Sequence, residues 1–358
     1  MSSFKPYSYP KWVGYSAKEV GMGYKFLKLR QVNATLWVEI VNPQVNFSTT
    51  SLEEELFSLI REMEKDPAIR VFILIGGIED IYIRHFSIPE LVQLTPDIRK
   101  LFLDRVFASR ITGRIFAYST TMTNWFMDWF PGLERIILKL LKATSGYSSA
   151  FYLWFMMHRL YLAIERMNKI TIAAINGSVN GGGAEMSTCF DFRFMINDRD
   201  FTIGQLEVLL GILPGGGGSQ RWPRIIGKAK ALELMLRGNL ISPEEAERLG
   251  MITGSFKKDE FHAKVQEFAD AMSKRPPVAV NGIKKAVHQG FETNLRHSLS
   301  IELEESIRCF TSLPTHKIMQ CYNDYIKKTI EAPNVKPTTI RDAVTHLESE
   351  EFLKSLDV

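Results

Sequence analysis

Little in this sequence is extreme, and each thing it lacks removes a class of protein. Three cysteines, Cys189, Cys309 and Cys321, are an odd number without metal-ligand spacing. They give no disulfide framework and no zinc site, and read as reduced core thiols. No run reaches about eighteen apolar residues without a charge, so no spanning helix is expected. The opening MSSFKPYSYPKW has no apolar core of a secretory signal. The last residues, Leu356-Asp357-Val358, are not a peroxisomal address. A net charge of +4 is too mild to argue for nucleic acid as a partner. Walker loop, dinucleotide fingerprint and zinc ligand set are all missing, so no metal or redox cofactor is implied. The expectation is a cytoplasmic globular protein, with 45% hydrophobic and 23% charged residues. At 358 residues it is long enough for one large domain or two small ones.

What is present concentrates between Thr171 and Gln220. The apolar run Ile170 to Ile175 predicts a buried strand. Gly181-Gly182-Gly183 then leads into Ala184 and Glu185. Glycines ahead of a helical segment let the backbone approach a ligand closely and leave N–H groups free to face an anionic oxygen. A second apolar run ends in Ile203-Gly204-Gln205-Leu206-Glu207, and Pro214 opens a second glycine cluster, Gly215 to Gly218. Two carboxylates thus follow two Gly-containing turns.

These motifs, in this order, resemble the enoyl-CoA hydratase/isomerase (crotonase) superfamily. Its pattern is a strand, a Gly-Gly-Gly turn and a Glu-bearing helix, then G-x-x-E and P-G-x-G-G-x-Q-R. Here these read Gly181 to Glu185, Gly204 to Glu207, and Pro214 to Arg221. The resemblance implies an α/β fold, a ββα superhelix with a C-terminal helical trimerisation region. It also implies an acyl-CoA substrate, with coenzyme A entering only as part of that substrate, and assembly as a homotrimer or a dimer of trimers.

The chain in order fits such a fold. Residues 1–22 read as an irregular leader. Tyr24 to Leu29 and Ala34 to Val41 alternate like strands, and Ser51 to Lys65 is helical, with Ser51 and Glu54 spaced as a capping box. Val71 to Ile75 is a buried strand. The strand–helix–strand rhythm assigns 23–94 and 169–255 to the core. Residues 256–330 form the C-terminal helical region, and 331–358 a linker and terminal helix. Between Arg99 and Arg166, ten Lys/Arg stand against four Asp/Glu, a net of +6, with Trp125, Trp129 and Trp154 among them. This insert, 95–168, is longer than the family's connection, and Pro131-Gly132 and Ser145-Gly146 divide it into about three helices. Three readings stay open for it: core or subunit interface, a lid over an acyl chain, or docking of 99–166 on a membrane surface.

By resemblance, Glu185 activates water and Glu207 exchanges the proton at the α carbon, while the N–H groups of Phe86 and Gly182 face the thioester oxygen. Two carboxyls serve as acid and base when their environments push their pKa values apart. The first donor loop departs from the family's F-x-x-G-x-D: His85 stands at the Gly position, Phe86 at the donor position and Ser87 at the Asp position. A backbone donor survives that exchange, but a positive φ would strain His85. His85 beside the thioester is a candidate third acid or base, and Arg84 a candidate for a carboxylate or phosphate. Lys284, Lys285, Lys327 and Lys328 are candidates for CoA phosphates or lie on a solvated helix face. Asp191 reads as a core brace. Twenty-two positions separate the glutamates, about two more than the family spacing, with the excess near Asn197 to Asp200. Hydration of an enoyl-CoA is the leading expectation. Isomerisation, thioester hydrolysis, C–C cleavage and a non-catalytic membrane-associated scaffold are the alternatives.

Overall fold

Two apolar runs without polar alternation make the centre of the sheet, because strands covered on both faces have no solvent side. The computed structural model describes residues 18–20, 23–42, 46–101, 109–143, 147–330, 345–347, 349 and 352. Its first strands are β1 (Lys18–Val20), β2 (Leu27–Val32), β3 (Thr35–Ile40), β4 (Val71–Gly76) and β5 (Ile170–Ile175). Then come β6 (Val179–Asn180), β7 (Phe192–Ile196), β8 (Ile203–Gly204), β9 (Leu240–Ile241) and β10 (Gly254–Phe256). A seven-stranded sheet runs β1-β2-β3-β4-β5-β7-β10, and a small one runs β6-β8-β9. β3, β4, β5, β7 and β10 pair in parallel, and β1-β2-β3 are antiparallel. Every residue of β4 and β5 is buried.

Three expectations shift. The stretch 1–22, expected to be irregular, contains β1; its other residues lie outside those described. Met251 to Thr253 reads in the sequence as a short strand, and the strand forms three residues later, as β10. α1 (Thr50–Met63) is capped by Thr49 and not by Ser51: the Thr49 backbone is extended and its hydroxyl accepts from Leu52 N at 3.3 Å. Apart from the isolated positions 345–347, 349 and 352, the expected linker and terminal helix over 331–358 lie outside the described residues.

The insert resolves into unlike layers. After α2 (Ile88–Leu101) come α3 (Arg110–Trp129), α4 (Pro131–Ala143) and α5 (Tyr147–Arg166), with a break at Pro131-Gly132 as the sequence predicts; the other expected break, Ser145-Gly146, lies outside the described residues. α5 is core: Leu160, Tyr161 and Ile164 are fully buried. α3 and α4 hang on it through charge. Glu134 of α4 accepts from Arg61 of α1 and from Arg159 of α5, and Asp128 of α3 pairs with Arg159 and Arg166. A carboxylate as buried as Glu134 needs two guanidinium partners to offset its desolvation.

The chain then adds α6 (Gly182–Ser187), α7 (Gly218–Ile226), α8 (Lys228–Arg237) and α9 (Pro243–Arg248). The Ser242 hydroxyl caps α9 by accepting from Glu245 N at 3.3 Å, as its sequence predicts. α10 (Phe261–Ser273), α11 (Pro277–Phe291), α12 (Leu295–Phe310) and α13 (Leu313–Ile330) complete the described chain. The sequence reads as a helix over 316–330, after Pro314; α13 starts three residues earlier, at Leu313, since Pro314 is tolerated in a first turn. Asn197 to Asp200, where the excess between the two glutamates is expected, form a turn after β7 in which Arg199 and Asp200 face solvent. Among the described residues no helix is long and apolar enough to cross a membrane.

Candidate active site

Three segments of backbone lie side by side beyond the carboxyl ends of β4 and β5, where open α/β sheets leave room for ligands. Asn176 ties those ends together, its amide donating to Gly76 O at 2.9 Å and accepting from Gly76 N at 3.0 Å. The first segment is Ile83 to Ser87, the second Val179 to Gly183 and the third Ile203 to Glu207. Asn180 N donates to Arg84 O at 2.8 Å and Gly181 N to Gly204 O at 3.0 Å, fixing the three in register. Ser48 clamps the first segment from outside, donating from its N to His85 O at 3.0 Å and accepting from Ser87 N at 2.8 Å.

That pairing uses the groups flanking Phe86 and leaves its N–H on the inner edge. A methyl placed on Gly182 would sit 3.2 Å from Phe86 N, so the two backbones nearly touch. Neither the Phe86 N–H nor the Gly182 N–H donates to another group of the described chain. The residue that needs glycine for its conformation is Gly181, with φ 49° and ψ −127°, not Gly182. His85 keeps a negative φ, so the strain expected there is absent.

Glu185, in the first turn of α6, is buried, and its Oε1 accepts from Gly216 N at 2.8 Å and Gly218 N at 2.7 Å. The second glycine cluster thus grips this carboxylate. Burial pushes Glu185 up to about 7; the Gly218 and Gly216 N–H groups and Arg221 oppose that, and the charge of Glu207 adds to it. Glu207 begins a 3-10 turn and is also raised by burial, against backbone N–H groups that favour its charge. Oriented with its nitrogen toward this carboxylate, the Gln205 amide donates to both Glu207 oxygens at 2.8 and 2.9 Å. Two carboxyls both raised by burial, beside two unpaired N–H groups, can move a proton at each of two neighbouring carbons while an oxygen is held.

The other candidates divide. His85 lies beside Gly181, packs its ring on Phe47 at 4.6 Å and places Nδ1 2.7 Å from Phe86 O. Arg84 is exposed. Lys284 is committed inward, donating to Asp191 at 2.6 Å and to the Lys169 carbonyl at 2.7 Å. Lys285 pairs with the buried Glu305. Both ammonium groups are therefore taken by protein partners, which corrects the expectation that they face phosphates; Lys327 and Lys328 stand exposed on the last turn of α13. Asp191 braces the core as expected, accepting from Thr171 N at 2.8 Å.

Sequence reading missed the supports around the carboxyls. Arg221 donates to Gly216 O at 3.2 Å and pairs with Glu165 at 3.0 Å, and His158 Nε2 lies 2.9 Å from Gly215 O, so α5 fastens the loop that holds Glu185. Tyr161, fully buried, donates to Gly182 O at 3.1 Å. Glu53 is buried too. A signal for it existed: it stands three and seven residues before Leu56 and Ile60, on the apolar stripe of α1.

Residues 140–329 match the family model described as enoyl-CoA hydratase/isomerase. The chain is 36% identical over 154 residues to a crotonyl-CoA hydratase of Syntrophomonas wolfei, covering 43% of this chain and 58% of the relative. It is 33% identical over 155 residues to a short-chain-enoyl-CoA hydratase of Clostridium acetobutylicum, covering 43% and 59%. In each case the match spans less than two thirds of the curated relative. The fold is similar to a crystal structure of an enoyl-CoA hydratase from Geobacillus kaustophilus, with TM-score 0.66 at 22% identity, covering 86% of this chain and 97% of that one.

Proposed function

The chain belongs to the enoyl-CoA hydratase/isomerase family, and from that premise we propose that it adds water across the double bond of an enoyl-CoA thioester. The observation that carries this reading is the pair of buried carboxyls, Glu185 and Glu207, set beside the unpaired N–H groups of Phe86 and Gly182. The thioester oxygen accepts from both N–H groups, each worth about 3 kcal/mol against developing negative charge in a dry site. Glu185, ionised, takes a proton from water as its oxygen bonds to the β carbon. The double-bond electrons move toward the thioester oxygen, and Glu207, protonated, gives its proton to the α carbon. One proton leaves water and one arrives at carbon, so the pair ends with its charge exchanged. Glycine N–H groups hold the Glu185 carboxylate and Gln205 holds Glu207, which keeps both carboxyls aimed through the cycle.

Hydration of crotonyl-CoA and longer enoyl-CoA esters, followed by loss of conjugated-thioester absorbance, tests this. Turnover that falls about a hundredfold or more in Glu185→Gln and in Glu207→Gln supports it. Saturable acyl-CoA binding without turnover would sink hydration and favour isomerisation, hydrolysis or cleavage by the same oxygen-binding frame.

Two surfaces extend the proposal. Ile283, Val287, Phe291, Leu299 and Leu303 are exposed along α11 and α12, and we assign this face to contacts between copies in a homotrimer or dimer of trimers; light scattering measures the mass. The outer face of α3 and α4 exposes Tyr118 (72%), Trp129 (67%) and Ile115 (62%). Arg110, Arg114, Arg135 and Lys139 stand among them, exposed, and among the described residues none of the four meets a carboxylate. A cationic, aromatic face repels its own copy and suits an anionic lipid surface, with the helices lying on it. Sedimentation with anionic but not neutral vesicles, lost in Ile115→Glu/Trp129→Glu with hydration intact, is expected. A change in subunit mass in that variant, with no vesicle binding by the wild type, would reassign the face to a second copy.

A further inference from the structure

The hydration reading leaves one buried acid unused. Glu53 projects from the first turn of α1 into the interior, fully buried. Its Oε1 accepts from the Ser48 hydroxyl at 2.8 Å, while its Oε2, equally buried, has no hydrogen-bond partner. Ser48 is the residue whose backbone clamps both sides of Phe86, through His85 O at 3.0 Å and Ser87 N at 2.8 Å. One acid therefore stands behind the Phe86 donor segment, through Ser48.

We propose that Glu53 is a positioning residue that, through Ser48, sets the aim of the Phe86 N–H at the thioester oxygen, and that it does so as the neutral acid. The inference rests on the oxygen-binding role of that N–H. A buried carboxyl without a cationic partner is stable only when uncharged. The charged and titratable groups facing it are acids and phenols: Glu90 from α2, Glu185 from α6 and Tyr161 from α5. Burial pushes Glu53 up to about 8 against the Ser48 hydrogen bond, and Glu90 and Glu185 add to the rise. As an acid it keeps the Ser48 hydrogen bond without placing a negative charge behind an oxygen that becomes negative. Above about pH 8 the charge appears and opposes the reaction.

The test compares Ser48→Ala, Glu53→Leu and Glu53→Gln. Leu suits the apolar stripe, and Gln keeps an acceptor for Ser48 while removing the charge. Ser48→Ala and Glu53→Leu should lower kcat about tenfold with KM little changed, and Glu53→Gln should recover at least half of that loss. Glu53→Gln should also extend the active range above pH 8, which a purely structural role would not do. Infrared spectra of bound enoyl-CoA give a readout that needs no turnover. The thioester carbonyl stretch, lowered by donors in the wild type, should move back toward its free value in Ser48→Ala and Glu53→Leu. An unmoved stretch and unchanged kcat in both variants would overturn the proposal, as would Glu53→Gln proving as damaging as Glu53→Leu. A lowered stretch without turnover would instead sink the hydration reading and leave Glu53 in place. Absence of any bound thioester signal would overturn both.

Discussion

The two walls of the site are built on different terms. One wall, Glu185 with the glycines that hold it and Glu207 with Gln205, would serve the proposed chemistry through side chains, and each carboxylate has a fixed set of donors. The other wall, the Ile83 to Ser87 segment, offers a backbone N–H and no side chain that the proposed chemistry requires. The first wall keeps its family's motifs residue for residue. The second has exchanged them, with His85 where a glycine stands in the pattern, yet the Phe86 N–H still lies beside Gly182. A site that recruits the peptide group can let its side chains change, provided the strand pairing that aims the peptide survives.

The largest effect that can test this contrast is removal of the ionisable carboxyls. Glu185→Gln and Glu207→Gln should each lower kcat about a hundredfold or more in the absorbance assay, while Phe86→Leu should cost less than about tenfold, because its N–H remains. Next comes the grip on Glu185. An alanine methyl at position 218 would meet the Gln205 amide at 2.7 Å and the Glu185 side chain at 3.0 Å. Gly218→Ala should lower kcat about tenfold and destabilise the fold by about 1–3 kcal/mol in a urea titration.

Smaller in rate, but sharper in meaning, is the pH profile. With Glu185 as the proposed base, raised to about 7, kcat/KM should climb with pH through about 7 as the carboxyl ionises. In Glu207→Gln the neighbouring charge is gone, and carbon-13 NMR should show Glu185 titrating lower than in the wild type. A Glu185 titration unmoved by that substitution would mean the carboxyls do not share a pocket. Smallest of all should be His85→Gly, within about threefold in kcat at neutral pH, since the ring is committed to Phe47 and the Phe86 carbonyl. A larger loss that also reshapes the pH profile would break the contrast by giving the second wall a working side chain.

The insert repeats the lesson at larger scale. Trp154 and Trp129 are both aromatic residues in basic helices, and the sequence treats them alike. Trp154 packs against the core on α5, while Trp129 stands exposed on α3. Composition could not separate them, because burial depends on what the fold brings against a helix, and for Trp154 that includes the Gly215 loop, far along the chain.

Some features were fixed by the sequence alone. The apolar runs of β4 and β5 demand a covered parallel sheet, since such strands have no face that water can solvate. The spacing of glycines and glutamates between Gly181 and Arg221 carried the family and the two carboxyls. Even the helix break at Pro131 was legible, because proline acts locally. Tertiary structure alone decided the rest. It turned Glu53 inward on a stripe it shares with leucines, took Lys284 into the core with Asp191, and raised Glu185 by burying it near Glu207. These are matters of dielectric and of partners brought together across the chain. A local sequence holds neither, because a carboxyl takes its character from whatever the fold puts within a few ångströms of it.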